Sequence, residues 1–137
     1  MKITLTKALI HYKGKYLFLQ KVNDMLPQNN GKWECAGGKI KPKEKPEQQV
    51  LEEVHQETGL KCKITKQLPF ISMKDNKYDS NCYCFLLEAP TNKVTLSKEH
   101  SKYKWVKPNK VNKLNLVLFA NLLLEYFNNE EYYLKQP

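Results

Sequence analysis

The sequence predicts a single α/β domain, with one core flanked by a sheet and two or three helices. Three observations carry that expectation. The 137 residues, 41% hydrophobic and 27% charged, suffice for one core and hardly for two. Short apolar runs rich in strand formers are separated by Gly, Pro and Asn punctuation. A carboxylate-rich run with helical spacing, Glu47 to Thr58, follows the pair Gly37-Gly38 across a polar loop.

Taken in order, Ile3 to Ile10 begins with polar and apolar residues alternating and then turns apolar. Tyr16-Leu17-Phe18-Leu19 follows the plausible turn Lys13-Gly14-Lys15, so two paired strands are expected. Asn23 to Gly31, with Pro27 and Asn29-Asn30, reads as a loop, and Trp33 to Ala36 as a short strand that the glycine pair ends. Val50, Leu51 and Val54 give the next run its buried helical stripe, and Gly59 is a natural stop. Cys62 to Phe70 and Tyr83 to Leu87 read as strands joined across Lys74-Asp75-Asn76-Lys77. Tyr103 to Val106 is another, closed by Pro108. Leu114 to Phe127 is apolar on nearly every face, which predicts a helix pressed on the sheet, and the tail to Pro137 is expected to fray.

No apolar run approaches the ~20 residues of a membrane span, and Met1 to Lys7 lacks both an apolar core and a small-residue cleavage site. A cytoplasmic address and no membrane partner are the default expectations. Cys35, Cys62, Cys82 and Cys84 show no Cys-x-x-Cys spacing, so free thiols are expected. Cys82 and Cys84 would share a strand face as core residues. The net charge of +9 invites a nucleic-acid reading, but all 23 cations are lysines scattered from Lys2 to Lys135, without a basic block. Specific nucleic-acid binding is therefore disfavoured, although the charge can help recruit anionic substrates.

The acidic run carries the chemistry. Glu44, Glu47, Glu52, Glu53 and Glu57 are five of the 14 acidic residues, and only Lys45 opposes them between Glu44 and Glu57. Glu53 and Glu57, four apart on a helix, point the same way and repel until a hard divalent cation turns repulsion into coordination. Gln56, on the adjoining flank, offers an amide oxygen to the cation or to a water upon it. Carboxylates plus substrate phosphate suit Mg²⁺, and no His/Cys cluster argues for zinc. Gly37 and Gly38 permit close backbone approach, and Lys39 and Lys21 could meet phosphates as point charges.

The ordered combination resembles the box of the Nudix hydrolase family: Gly, five residues, Glu, seven residues, Arg-Glu, an apolar residue, any residue, Glu-Glu, any residue, Gly, an apolar residue. Gly38, Glu44, Glu53, Val54, Glu57, Gly59 and Leu60 match it. Trp33 to Ile40 resembles the family's lead-in, and Glu99-His100 followed by Ser101 to Val106 its later Glu-His and aromatic strand. The resemblance spans residues 3 to 127 and is MutT-like. It implies a Nudix-type α/β/α sandwich around a mixed β-sheet, a single domain over 1–137, and Mg²⁺-dependent cleavage of a diphosphate linkage, with Mn²⁺ an alternative cation. The nucleotide substrate would be a nucleoside triphosphate or a nucleoside diphosphate derivative, releasing a nucleoside monophosphate. The resemblance also implies Glu53, Glu57 and the Gly37 carbonyl as metal ligands, with Gln56 and Glu99 completing the set, and Glu53 or Glu99 activating water. Asn115 lies where some MutT-type relatives read the base, though an Asn there is more often simply a helix cap, and Trp33, Tyr78 and Tyr83 could stack or pack.

Two letters depart from the box. Glu52 stands where the family has Arg, and Gln56 where it has Glu, so weaker Mg²⁺ binding and a slower enzyme are expected. A catalytically weakened nucleotide-binding or sensor protein is the alternative. Monomer and homodimer are both compatible with the sequence.

Overall fold

The computed structural model describes residues 2–22, 27–74 and 79–116, and the backbone alone at 73, 112 and 113. A mixed sheet holds seven strands: β1 (Lys2–Tyr12), β2 (Lys15–Lys21), β3 (Trp33–Glu34), β4 (Ala36–Lys39), β5 (Lys63–Lys74), β6 (Asp79–Glu88) and β7 (His100–Val106). Among the described residues one helix, α1 (Pro46–Thr58), packs on it, and short 3₁₀ turns occupy Pro27–Asn29 and Pro108–Lys113.

Strand β1 is central, parallel to β6 along ten residue pairs and antiparallel to β2 and β4. Ala8, Leu9 and Ile10 are buried on both faces, which is why the alternation of its first residues gives way to a continuous apolar run. Lys13 and Gly14 both take positive φ, 48° and 79°, as the two-residue type I′ turn between β1 and β2 requires. Tyr16 to Leu19 are likewise buried on both faces, one core taking Tyr16 and Phe18 and the other Leu17 and Leu19. The second core lies under α1, against Val50 and Val54, with Ala8, Ile10, Phe85 and Leu87. The first holds Leu9, Trp33, Cys35, Cys82, Cys84, Val111 and Leu116.

Helix α1 starts at Pro46, whose missing N–H and fixed φ suit a first position. It stops at Gly59, left-handed at φ 74°, whose N–H donates to the His55 carbonyl at 2.8 Å. Full burial of Val50 and Val54 contributes roughly 1.5–3 kcal/mol each, relative to exposure.

Several expected boundaries move. The glycine pair does not end a strand; both glycines lie inside β4, paired with Lys7 and Thr6 of β1. A Cβ on Gly37 would stand 2.0 Å from the Thr6 carbonyl oxygen, so the absence of a side chain is what permits the pairing. Strand β5 runs past Phe70 to Lys74 because β6 begins at Asp79 and the two pair to their ends, with register shifts that absorb Pro69 and leave Phe70 46% exposed. The expected joining segment there overlaps 75–78, outside the described residues. Leu114 to Leu116 are not helical: the Asn115 carbonyl accepts from Trp33 N at 2.8 Å, and Leu116 bridges Trp33 in parallel. The rest of the helix expected to Phe127, and the tail to Pro137, lie outside the described residues. All four cysteines are free, and the Cys82 and Cys84 sulfurs sit 3.7 Å apart in the core.

Candidate active site

Beyond the first hairpin β1 and β2 separate, and the segment from Trp33 to Lys39 fills the wedge. Its first half pairs with β2 as β3 and its second half with β1 as β4. The wedge gathers Lys7, Lys21, Glu34 and Gly37 from four strands. Helix α1 lies across β4 and aims two carboxylates at the consecutive glycines. Gly37 N–H donates to Glu57 Oε1 at 2.8 Å, and a Cβ on Gly38 would meet Glu53 Oε2 at 2.9 Å. Thr95 N and Ser97 N donate to the Thr58 and Glu57 carbonyls, at 2.8 Å and 3.4 Å, satisfying the last turn of the helix. That docking brings the adjoining Glu99 and His100 to Glu57.

The side chains form one connected polar chain. Glu34 Oε1 accepts from Lys7 Nζ at 2.9 Å and from Lys21 Nζ at 3.2 Å, and its Oε2 lies 2.7 Å from His100 Nε2. Lys7 Nζ also donates to the Cys35 carbonyl at 3.2 Å. A carboxylate held between two ammoniums offers only lone pairs, so its bond to His100 places a hydrogen on Nε2. On the other side of the ring Nδ1 is buried without a hydrogen-bond partner and stands 4.0 Å from Glu57 Oε2. Glu57, Glu99 and His100 each present a ligand atom within 4.8 Å of the others.

The two ends of this chain differ in charge. Burial acts to raise the Glu34 carboxyl, but Lys7, the His100 bond and Lys21 outweigh it and hold the group well below the usual carboxylate range. Burial acts to lower the Lys7 ammonium, and Glu34 and Glu57 reverse that, so Lys7 stays charged. Glu57 is pushed up to about 8, first by burial, with Glu34 and Glu99 adding repulsion that Lys7 and the Gly37 N–H only partly offset. Half-buried Glu53 is also raised, by burial and then by Glu99 and Glu44. Such a group of unneutralised acids lacks positive charge, and oxygen donors with one unpartnered imidazole nitrogen fit a divalent cation.

Of the residues singled out in sequence, Gly37, Glu53, Glu57 and Glu99 converge here. Gln56 is exposed on α1 beside Glu57, and Glu99 is exposed in the turn that leads into β7. Lys21 is partly committed to Glu34. Lys39 is exposed, and strand alternation directs its side chain to the face opposite the one on which Gly38 meets Glu53. Asn115 is exposed in an extended stretch, Trp33 packs in the core with Lys104 Nζ 5.1 Å above its ring, and Tyr83 meets Phe70 edge-on. Tyr78 lies outside the described residues. Sequence reasoning missed Lys7, Glu34 and a role for His100, and it missed Gln49, 2% exposed, which accepts from the Thr6 hydroxyl and donates to the Lys39 carbonyl at 3.1 Å. The available signal was polar side chains inside apolar strand runs, Lys7 before Ala8-Leu9-Ile10 and Glu34 between Trp33 and Cys35.

A mixed sheet crossed by an acidic helix that faces a glycine pair defines the class of Nudix-fold proteins. The sequence profile of the NUDIX domain matches residues 8–127, and the chain belongs to the Nudix hydrolase family. A MutT protein from Methanosarcina mazei Go1 superposes with a TM-score of 0.83 at 28% identity, over 95% of each chain. A MutT NUDIX hydrolase from Burkholderia pseudomallei gives 0.81 at 19% identity, over 92% of this chain and 98% of that one. The NUDIX domain of Shewanella oneidensis NrtR, solved with ADP ribose, gives 0.78 at 21% identity, over 95% and 88%. The two below a quarter identity share the fold. Among curated protein sequences no significant match is found. Among the described residues no helix is long and apolar enough to cross a membrane.

Proposed function

We propose that the chain is a Mg²⁺-dependent Nudix hydrolase that cleaves a diphosphate linkage in a nucleoside triphosphate or nucleoside diphosphate derivative and releases a nucleoside monophosphate. The observation that carries this reading is the unneutralised carboxylate group of Glu53, Glu57 and Glu99 beside the Gly37-Gly38 backbone. Glu57, oriented through Oε1 by the Gly37 N–H, would hold the cation with Glu53, Glu99, the Gly37 carbonyl and Gln56. When bound, the cation screens the phosphates and lowers the pKa of water upon it.

The water oxygen attacks phosphorus, the bridging P–O bond on the far side breaks, and the leaving phosphate departs with that oxygen. Glu53 or Glu99 would take the proton of that water; in the cation-free protein burial and Glu99 raise the Glu53 carboxyl. Lys21 would lend positive charge to the phosphates while still sharing Glu34, whereas Lys39, on the opposite face of β4, is not placed to do so. Asn115 is the candidate for reading the base. Incubation with Mg²⁺ and a nucleotide panel that includes ADP ribose, followed by product separation, tests the reading. Mg²⁺-dependent release of a monophosphate, absent in Glu53→Gln, is expected; binding without turnover of any member would sink it.

Glu52 and Gln56, both exposed on α1, support a second reading, a weakened nucleotide-binding protein. It requires that Glu52→Arg with Gln56→Glu raise hydrolysis sharply.

A further inference from the structure

We infer that His100 is itself a metal ligand: its Nδ1, with Glu57 Oε2 and Glu99, forms a mixed nitrogen and oxygen position that favours Mn²⁺ and similar transition-metal ions over Mg²⁺. This rests on the divalent-cation reading above and adds to it a ligand type that the acidic box does not supply.

Three features of the ring converge on it. First, Nδ1 is a buried polar atom, on a side chain only 1% exposed, without a hydrogen-bond partner, and an unsatisfied buried acceptor costs about 1–3 kcal/mol. Were Nδ1 protonated and bonded to Glu57, the two atoms would close to about 3 Å; they stand at 4.0 Å. Around an ion with bonds near 2.1–2.2 Å, two ligand atoms lie roughly 3.0 Å apart when adjacent and about 4.3 Å apart when opposite. The 4.0 Å gap is too long for a hydrogen-bonded pair and lies between those two separations, so it leaves room for one ion between the atoms.

Second, the other ring nitrogen is placed as a ligating histidine needs. Nε2 meets Glu34 at 2.7 Å, and Glu34 is fixed in turn by Lys7 and Lys21. Metal-bound histidines characteristically donate their distal N–H to a carboxylate, which fixes ring orientation and raises ligand basicity. Third, Glu57 is turned to match: the Gly37 N–H takes Oε1, and Oε2 is the atom facing Nδ1. Exposed Glu99 can close the third side. Imidazole is a poor match for Mg²⁺, which keeps oxygen ligands, and a good one further along the divalent series.

The test is electron spin-echo spectroscopy on the full chain loaded with Mn²⁺. We expect ¹⁴N modulation from a directly bound imidazole, replaced by the ¹⁵N pattern when histidine alone is labelled and unchanged by His55→Gln. His100→Gln should remove it and lower the ratio of Mn²⁺ to Mg²⁺ affinity, read by titration, by roughly 10–100-fold. Mn²⁺ bound with oxygen coordination only would overturn the inference and leave the hydrolase reading standing. No binding of either cation would overturn both. The wild-type spectrum decides even if His100→Gln fails to fold.

Discussion

Glu34 and Glu57 are both buried carboxylates, both in contact with the same histidine ring, and they are built to opposite ends. Glu34 has two lysines and an imidazole N–H on its oxygens, whereas Glu57 has one backbone N–H and two further acids nearby. The first is neutralised by the protein and needs nothing more. The second is kept short of positive charge, and it is the side on which a cation and a phosphorylated substrate would be received. Stability and activity should therefore separate along the His100 ring.

The largest expected effect tests the acid side. Glu53→Gln keeps the shape and removes the charge, so hydrolysis should fall by roughly 10²–10⁴-fold, the span of a lost general base, while the thermal midpoint stays put or rises. Glu34→Gln should act first on stability. It leaves Lys7 buried beside a neutral amide, and breaking one side of a buried pair costs about 3–5 kcal/mol in chemical denaturation. Equal stability of the two variants would break the comparison.

The pH dependence of the metal-free protein sharpens it. Glu57 has its folded pKa raised from 4.5 to about 8, so between those values the unfolded chain has lost a proton that the native state still holds. Stability falls as pH rises through that window, on the order of a few kcal/mol. Glu34, held low, acts with the opposite sign: its contribution is present above 4.5 and is lost as pH falls below it. Thermal melts without divalent cation should thus decline from mildly acidic pH towards pH 8. Added Mg²⁺ or Mn²⁺ should restore the midpoint most at the alkaline end, where Glu57 is ready to ligate. A loss as large with saturating cation would contradict the assignment of Glu57.

How much of this was legible in sequence follows the range of the interactions. The acidic helix was readable because Glu53 and Glu57 are four residues apart and helical periodicity alone puts them on one face. The strands were readable from β-branched and aromatic runs, although their ends, set by pairing between β5 and β6, were not. Glycine 37 and 38 looked like a terminator because pairing to β1 cannot be seen locally. The Glu34 half was illegible for the same reason: Lys7, Glu34 and His100 are separated by 27 and 66 residues, and only the wedge between β1 and β2 brings them together. His100 was visible as part of a Glu-His pair, but not the direction of its ring.

The smallest expected effect concerns the letters that depart from the box. Gln56→Glu adds one negative charge to the side that is already acid-rich, on an exposed position next to Glu57. Solvent screens a charge there, so the gain in Mg²⁺ affinity should be modest, roughly threefold to tenfold, with maximal turnover at saturating Mg²⁺ changed less. The same charge should do nothing to the Glu34 side, leaving acid denaturation below pH 4.5 as in the wild type. Cation titration by calorimetry, beside acid melts of the same variant, separates these effects. A large gain in maximal turnover would instead mean that Gln56 limits the chemistry itself, and would move the protein towards the weakened reading, in which the acid half is one carboxylate short of an active site.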